Sequence, residues 1–360
     1  MALFKRGISI LSRMNTIFDY SAPQIEQLVT SLGQPKFRTK QLIQWLYKHG
    51  ARSYDEMNNL PKNFRESLAQ QAPLIPPVIV DAQVSADGTR KFLLEFADGA
   101  QVETVGIPSR DTNAKGQPRR LTVCFSTQVG CPMRCSFCAT GREGFTRNLT
   151  PGEMVWQVLT CQNEFDMRVS NIVAMGQGEP FLNYDNVMAA LRYMNSDDAL
   201  AIGARHISLS TCGIIPGIQR FADEGEQFTL AVSLHSAQQD ARDDLMPGCR
   251  NTPLDQLKGA LRDYQRKSGR RITFEYLMID GITDTVKALD ALISYCKGLK
   301  IHVNLLKINH IDESPYEPTI PKRLDAFRRA LEDAGIETTI RDSRGADIDG
   351  ACGQLKNSRK

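Results

Sequence analysis

The chain has 360 residues, 41% of them hydrophobic, and a formal net charge of +3. That length accommodates two or three domains with a sizeable core, and the small charge excludes the chain-wide basic field of a dedicated nucleic-acid binder, so any RNA contact has to be local. The nine cysteines form no paired framework in a chain this long and read as metal-binding or catalytic thiols in a reducing compartment, with the cytoplasm as the expected location.

Residues 1–14 form a basic, apolar extension whose apolar run, Ile8 to Leu11, is too short for a signal sequence or a membrane span. Met14 is an alternative start. No later stretch approaches the roughly 18 uninterrupted apolar residues of a transmembrane helix, so no membrane partner is expected.

Residues 15–75 read as a small helical accessory domain. Ser21 caps a first helix with Pro23 in its first turn, with Ile25, Leu28, Val29 and Leu32 on one face and Gly33 as its stop. A second helix is predicted over Thr39 to His49, a third behind a Ser53/Glu56 capping box, and a fourth over Pro61 to Ala69. Lys36, Arg38, Lys40, Lys48 and Arg52 either track phosphates or form a solvated face. Residues 76–120 read as a short β extension and linker, in which strand-like segments alternate with hairpin turns at Asp87-Gly88 and Asp98-Gly99, and Lys91 to Phe96 pairs with Gln101 to Ile107. The polar loop Ser109 to Arg120, carrying Arg110, Lys115, Arg119 and Arg120, is expected to be mobile without a partner.

From Leu121 strands and helices alternate. Strands are predicted at Leu121 to Phe125, Ser170 to Met175, His206 to Ser210, Phe228 to Leu234, Ile272 to Met278 and His302 to Ile308. Thr150-Pro151-Gly152-Glu153 is a capping box, Thr252-Pro253-Leu254-Asp255 repeats it with Asp, and Thr285 to Lys297 is an amphipathic helix. The expected fold class is therefore α/β, a partial (β/α)6 TIM-like barrel over residues 121–310, followed at 311–360 by a helix, a strand and a cysteine-bearing segment. Active sites of such barrels lie beyond the C-terminal strand ends. The distinctive motifs fall there, with the cysteine loop after the first strand and Gly176-Gln177-Gly178-Glu179-Pro180 after the second. Ser210 follows the third, Ser233-Leu234-His235-Ser236 the fourth, and Asn309 the sixth.

Cys131, Cys135 and Cys138 have C-x3-C-x2-C spacing. Three ligands leave a fourth position open: zinc would require Cys124 or a distant Cys to close it, whereas a four-iron four-sulfur cluster would keep one iron free for a reactant. The Gly176 to Glu179 turn lets backbone approach a ligand and presents a carboxylate, yet it fails the dinucleotide fingerprint. His235 is either a core histidine or a functional one.

The cysteine spacing resembles the radical S-adenosylmethionine (SAM) signature. With Cys124 ahead of it and the tail Asp347-Ile348-Asp349-Gly350-Ala351-Cys352-Gly353-Gln354-Leu355, the chain resembles the RlmN/Cfr family of radical SAM RNA methyltransferases over roughly residues 15 to 357. The resemblance implies a radical SAM barrel in which Cys131, Cys135 and Cys138 bind the cluster and Gly178, Glu179, Ser210, Ser233, Leu234, His235 and Asn309 contact SAM. It implies Cys352 as the methyl-carrying cysteine, Cys124 as its resolving partner and Glu103 as proton acceptor. By the same resemblance two SAM molecules are used per turnover, and Cys352 takes a methyl from the first. A radical made from the second activates that methyl for carbon 2 of an adenosine in 23S rRNA and of the adenosine beside the anticodon in tRNA. The enzyme would be a monomer served by an electron donor such as flavodoxin. Gln177 stands where Met is common and His310 where Pro is common, changes expected to touch no contacting group. Cys161, Cys212, Cys249 and Cys296 are expected as small buried hydrophobes. A Cfr-like carbon-8 methylation, a radical SAM enzyme of peptides or small molecules, and a zinc-stabilised RNA-binding protein are the alternatives.

Overall fold

The computed structural model describes residues 16–311 and 314–357, so the extension 1–14 and the alternative start at Met14 lie outside the described residues. Ser21 caps α1 (Ala22–Ser31), its amide donating to Gln24 Oε1 at 2.7 Å. Helix α2 (Phe37–Ile43) runs into a π turn over Gln44–Lys48. Ser53 and Glu56 cap only a 3-10 turn, Tyr54–Glu56, because Pro61 follows closely and restarts the chain as α3 (Lys62–Gln71). Strands β1 (Val78–Val84), β2 (Arg90–Glu95) and β3 (Gln101–Pro108) form an antiparallel meander with Lys91 opposite Val105 and Leu93 opposite Glu103. The 109–120 loop, expected to be mobile, is fastened at its base by Ser109 N donating to Arg120 O at 2.8 Å, and Arg110 pairs with Asp342 at 2.9 Å.

The strand–helix alternation follows. In order come β4 (Leu121–Cys124), β5 (Gln128–Gly130), α4 (Ala139–Glu143), β6 (Phe145–Asn148), α5 (Pro151–Phe165), β7 (Asn171–Ala174) and α6 (Tyr184–Asn195). Then come β8 (Ile207–Thr211), α7 (Ile215–Glu224), β9 (Thr229–Ser233), α8 (Gln239–Leu245), α9 (Leu254–Ser268) and β10 (Ile272–Met278). The chain closes with α10 (Val286–Cys296), β11 (Ile301–Lys307), α11 (Pro321–Asp333) and β12 (Glu337–Arg341). Strands β4, β7, β8, β9, β10, β11 and β12 are parallel in that order, and β4 joins β3 antiparallel, so β1 and β12 are the sheet edges and the barrel is open. The parallel run is one strand longer than the expected six because Thr338 to Arg341 lie in register beside Val303 to Leu306 of β11. Thr150 caps α5 as expected, with its Oγ1 accepting from Glu153 N at 3.2 Å. Thr252 caps nothing: the first amide of α9, Leu254 N, is already taken by Gln239 Oε1 at 2.8 Å. No helix of the described residues is long and apolar enough to cross a membrane.

The N-terminal helices share one core with the barrel. Phe18 packs between Tyr47 and Trp156, with ring centroids 5.1 and 4.7 Å away, and Tyr47 stacks on Tyr193. Gly152 makes this approach possible. Its amide donates to Asp19 Oδ1 at 3.1 Å, and a Cβ there would stand 2.8 Å from Phe18 Cβ. Gly152→Ala therefore forces Phe18 to shift and is expected to lower stability by about 1–3 kcal/mol, read as a lower denaturant midpoint followed by Trp156 fluorescence. An unchanged midpoint would mean that the Phe18 contact does not hold the helices to the barrel.

Candidate active site

The strand ends of the parallel run open on two adjoining cavities. The first is lined by Cys131, Cys135 and Cys138, and also by Gly178, Glu179, Ser210, Ser233, His235 and Asn309. The cysteine loop is held by backbone bonds and by the Ser136 hydroxyl, which donates to Leu245 O at 3.2 Å and lies 2.7 Å from the Tyr316 hydroxyl. Cys131 N donates to Gly144 O at 2.7 Å, Gly248 N to Met133 O at 2.9 Å, and Ser136 N to Leu245 O at 2.9 Å. The described residues contain no group of three His, Cys, Asp or Glu side chains already in metal-binding geometry; the three thiols face a shared cavity instead. Burial pushes the Cys131 thiol up to about 12 and the Cys138 thiol upward as well. Contact with the Cys212 thiol pulls Cys135 down, but burial and the neighbouring thiols raise it on balance. Protonated thiols gathered at one cavity are a donor set that exchanges protons for metal.

The rest of the wall is polar and already organised. Glu179 accepts from Phe181 N at 3.0 Å through Oε1 and from Cys212 N at 2.6 Å through Oε2, and burial raises its pKa. Gly178 has φ +106° and sits so close to the chain after β4 that a Cβ would meet Thr127 Oγ1 and Gln128 Cβ at 2.7 Å, so only glycine lets this turn line the cavity. Ser210 Oγ and Ser233 Oγ are 3.2 Å apart. His235 adopts φ +55° and packs edge-on against Phe137, and its buried Nδ1 has no partner. Burial and the Arg242 charge depress its pKa to about 3, which keeps the ring neutral. An orphaned polar atom in a cavity wall asks for a ligand, and the wall as a whole fits an amino-acid-bearing cofactor beside a cluster.

The second cavity shares Cys138, Glu275, Asn309 and Cys352 with the first and adds Cys124, Lys307, Arg341 and Arg344. Cys352 is exposed and stands in the wall common to both. Its loop is fastened by Asn309 Nδ2 to its carbonyl at 3.0 Å, Ala139 N to Gly353 O at 2.7 Å, and Thr140 Oγ1 to Leu355 O at 2.6 Å. Although solvent reaches the residue, the protein packed around the Cys352 sulfur strips water from its thiolate and raises the thiol, the Glu275 carboxylate adds to the rise, and Arg341 opposes it. The Cys124 thiol is raised by burial and then by its neighbour Cys352.

Three expectations change here. Leu234 does not present its side chain to the site: it is fully buried in the core, and only its amide approaches, donating to Glu275 O at 3.1 Å. Glu103 lines neither cavity. It is fully buried in an ion pair with Lys91 at 2.9 Å, and its Oε2 accepts from Lys356 N at 2.8 Å. Gln177 is not a silent departure, because its Oε1 accepts from Glu103 N at 3.2 Å while its buried Nε2 has no partner, and His310 O accepts from Gln354 Nε2. Sequence reasoning also passed over Cys212, whose amide binds Glu179, and Glu275, a carboxylate in both cavity walls. Cys161, Cys249 and Cys296 are buried as expected. Of the basic residues, Lys36 pairs with Glu26, Lys40 with Asp198, Arg119 with Asp111, and Arg147 with Asp98 and Glu153.

Residues 125–293 match the family model described as the radical SAM superfamily, and residues 15–74 match that of the ribosomal RNA large subunit methyltransferase N-terminal domain. A probable dual-specificity RNA methyltransferase RlmN of Clostridium novyi is 42% identical over 346 residues, which is 96% of this chain and 98% of the relative. A protein of the same description from Synechococcus elongatus is 46% identical over 345 residues, 94% of this chain and 92% of the relative. The crystal structure of a radical SAM methyltransferase from Sphaerobacter thermophilus superimposes with a TM-score of 0.90 at 40% identity, covering 96% of this chain and all of the other. The cofactors are therefore a four-iron four-sulfur cluster and SAM, and the zinc reading of the three thiols is set aside. A chain so similar to these proteins over nearly its whole length belongs to the RlmN family of radical SAM RNA methyltransferases.

Proposed function

We propose that the chain methylates carbon 2 of an adenosine in 23S rRNA, and of the adenosine beside the anticodon in tRNA, by way of a methyl group carried on Cys352. The observation that carries this reading is the position of Cys352 in the wall between the two cavities, with the Cys124 thiol lining the second of them. Cys131, Cys135 and Cys138 would hold the cluster, and Gly178, Glu179, Ser210, Ser233, His235 and Asn309 would hold SAM, with the Glu179 carboxylate as the acceptor available to its ammonium group. When bound, the cluster and SAM supply the electron, the methyl group and the hydrogen-abstracting radical.

Carbon 2 of adenine lies between two ring nitrogens and is electron-poor, so it cannot attack an electrophilic methyl group directly. A carrier sulfur answers this: the Cys352 thiolate accepts the methyl as an ordinary nucleophile, and the methyl carbon then joins the ring while still attached to Cys352. Arg341 favours that thiolate, whereas Glu275 disfavours it. The ring proton must leave, and Glu103 is the acceptor in this reading; its bond from Lys356 N has to open before the carboxylate meets the base. The Cys124 thiolate then attacks the Cys352 sulfur: the Cys124–Cys352 disulfide forms as the bond from that sulfur to the base's methylene carbon breaks, the released carbon takes up a proton to become the methyl group, and the unpaired electron left by the addition would return to the cluster. The base has to be unstacked to enter, and Lys115, Arg120 and Arg142, all exposed in the linker and cysteine loops, would contact phosphates in this reading. In this reading the chain is a cytoplasmic monomer fed by an electron donor such as flavodoxin.

Anaerobically purified protein is expected to carry about four irons per chain, and Cys135→Ala to lose most of them; full iron in that variant would remove Cys135 from the ligand set. Neutralising Lys115, Arg120 and Arg142 together is expected to flatten the salt dependence of RNA binding by about 0.7 to 0.9 in slope per lost phosphate contact, and an unchanged slope would assign them to solvated surface. Cys124→Ala is expected to take up the methyl, react once and stay crosslinked to RNA on denaturing gels. Cys352→Ala and the double variant should show neither methyl uptake nor crosslink. Free turnover by Cys124→Ala would falsify the division of labour between the two thiols.

A further inference from the structure

Lys91 on β2 and Glu103 on β3 meet at 2.9 Å with side chains 2% and 0% exposed. A buried ion pair is costly unless the remaining protons and lone pairs find partners, and here both find them in the C-terminal segment. Lys91 Nζ donates to the carbonyl of Asp349 at 3.4 Å, and Glu103 Oε2 accepts from the amide of Lys356 at 2.8 Å. Asp349 and Lys356 flank Cys352 on its two sides in the sequence. The arm before Cys352 is also held through the Asp347 carboxylate, which accepts from Ser85 Oγ at 2.6 Å and from Ala86 N at 3.1 Å, and neutral bonds come from Asn309, Ala139, Thr140 and Gln354; the Lys91–Glu103 pair adds a charged contact to each arm.

We propose that the Lys91–Glu103 pair is the anchor of the cysteine-bearing segment, and that Lys91 is a positioning residue that sets where the Cys352 sulfur stands between the two cavities. The cation grips the arm before Cys352 and the carboxylate grips the arm after it, so the pair spans the loop and fixes both its ends to one point of the β2–β3 meander. Because Glu103 lies in the same pair, the residue that keeps the loop closed is also the one that the proposed proton transfer needs, and the loop must release Lys356 before Glu103 can act. The catalytic consequence rests on the reading of Cys352 as methyl carrier; the anchoring does not.

Hydrogen exchange of the full chain by mass spectrometry tests the anchor. Lys91→Met leaves a buried carboxylate unpaired and threatens the fold, so it is compared with Lys91→Met/Glu103→Gln, which is neutral and retains an oxygen for the Lys356 amide. In the double variant the amides of residues 347–351 are expected to exchange about tenfold or more faster, while Lys356 and the β2–β3 strands keep their protection. Disulfide formation between Cys124 and Cys352 on mild oxidation should slow by a similar factor as the thiols lose their fixed spacing. Unchanged protection of 347–351, or a uniform rise that includes β2 and β3, would overturn the proposal. Neither readout requires cluster, SAM or turnover, so a failure of the methyl-carrier reading, seen as no S-methyl on Cys352 of the unaltered protein, is told apart from a failure of the anchor.

Discussion

The amide of Ala139 donates to the carbonyl of Gly353 across 2.7 Å, and through that bond the loop of three cysteines and the segment of Cys352 become one body. Ala139 directly follows Cys138, and Gly353 directly follows Cys352. The bond therefore registers the cluster ligands against the carrier thiol at the level of the backbone, where no side-chain substitution removes it. A buried amide and carbonyl left unpaired here would cost about as much as a lost hydrogen bond, so the tail closes on the barrel mouth in this register and no other. Asn309, at the end of β11, adds its own bond to the Cys352 carbonyl, which ties the tail to the strand ends as well.

Around that junction the protein arranges its charges to keep thiols protonated until something displaces the proton. Burial raises Cys131 and Cys138, and it raises Cys124 and Cys352 too. Since the thiolate is the reactive form, each of these groups must give up its proton to act as a ligand or nucleophile. Glu275 and Arg341 act on Cys352 with opposite sign. The balance between that carboxylate and that guanidinium sets how readily the carrier ionises.

The rest of the cavity wall shows the same economy with hydrogen bonds. Glu179 is held at both oxygens by backbone amides, from Phe181 and from Cys212, so its carboxylate is oriented before any ligand arrives. Gln157 holds the chain beneath it, accepting from Ser126 N and donating to Ser126 O. Preorganised acceptors of this kind cost no rearrangement when a cationic group binds.

What could be read from the residues in order was what local chemistry determines. Alternating strand and helix patterns announced the α/β barrel, Thr150 and Glu153 announced the start of α5, and the C-x3-C-x2-C spacing with the Cys352 tail pointed to the family. The strand, helix and cap signals depend on residues within one or two turns of each other, where periodicity and capping act, whereas the family was legible only as a resemblance of two motifs far apart in the sequence. The tertiary structure alone decided the rest. It buried Glu103 against Lys91, turned Leu234 into the core, brought Gln177 to the Glu103 amide, gave Cys212 its bond to Glu179, and added β12 as a seventh parallel strand. Thr252 lost its cap to Gln239 and the 109–120 loop gained Asp342 for the same reason. These are ion pairs and backbone bonds between residues distant in sequence, and a charge or an amide carries no mark of its partner until the chain has folded and water has been excluded from between them.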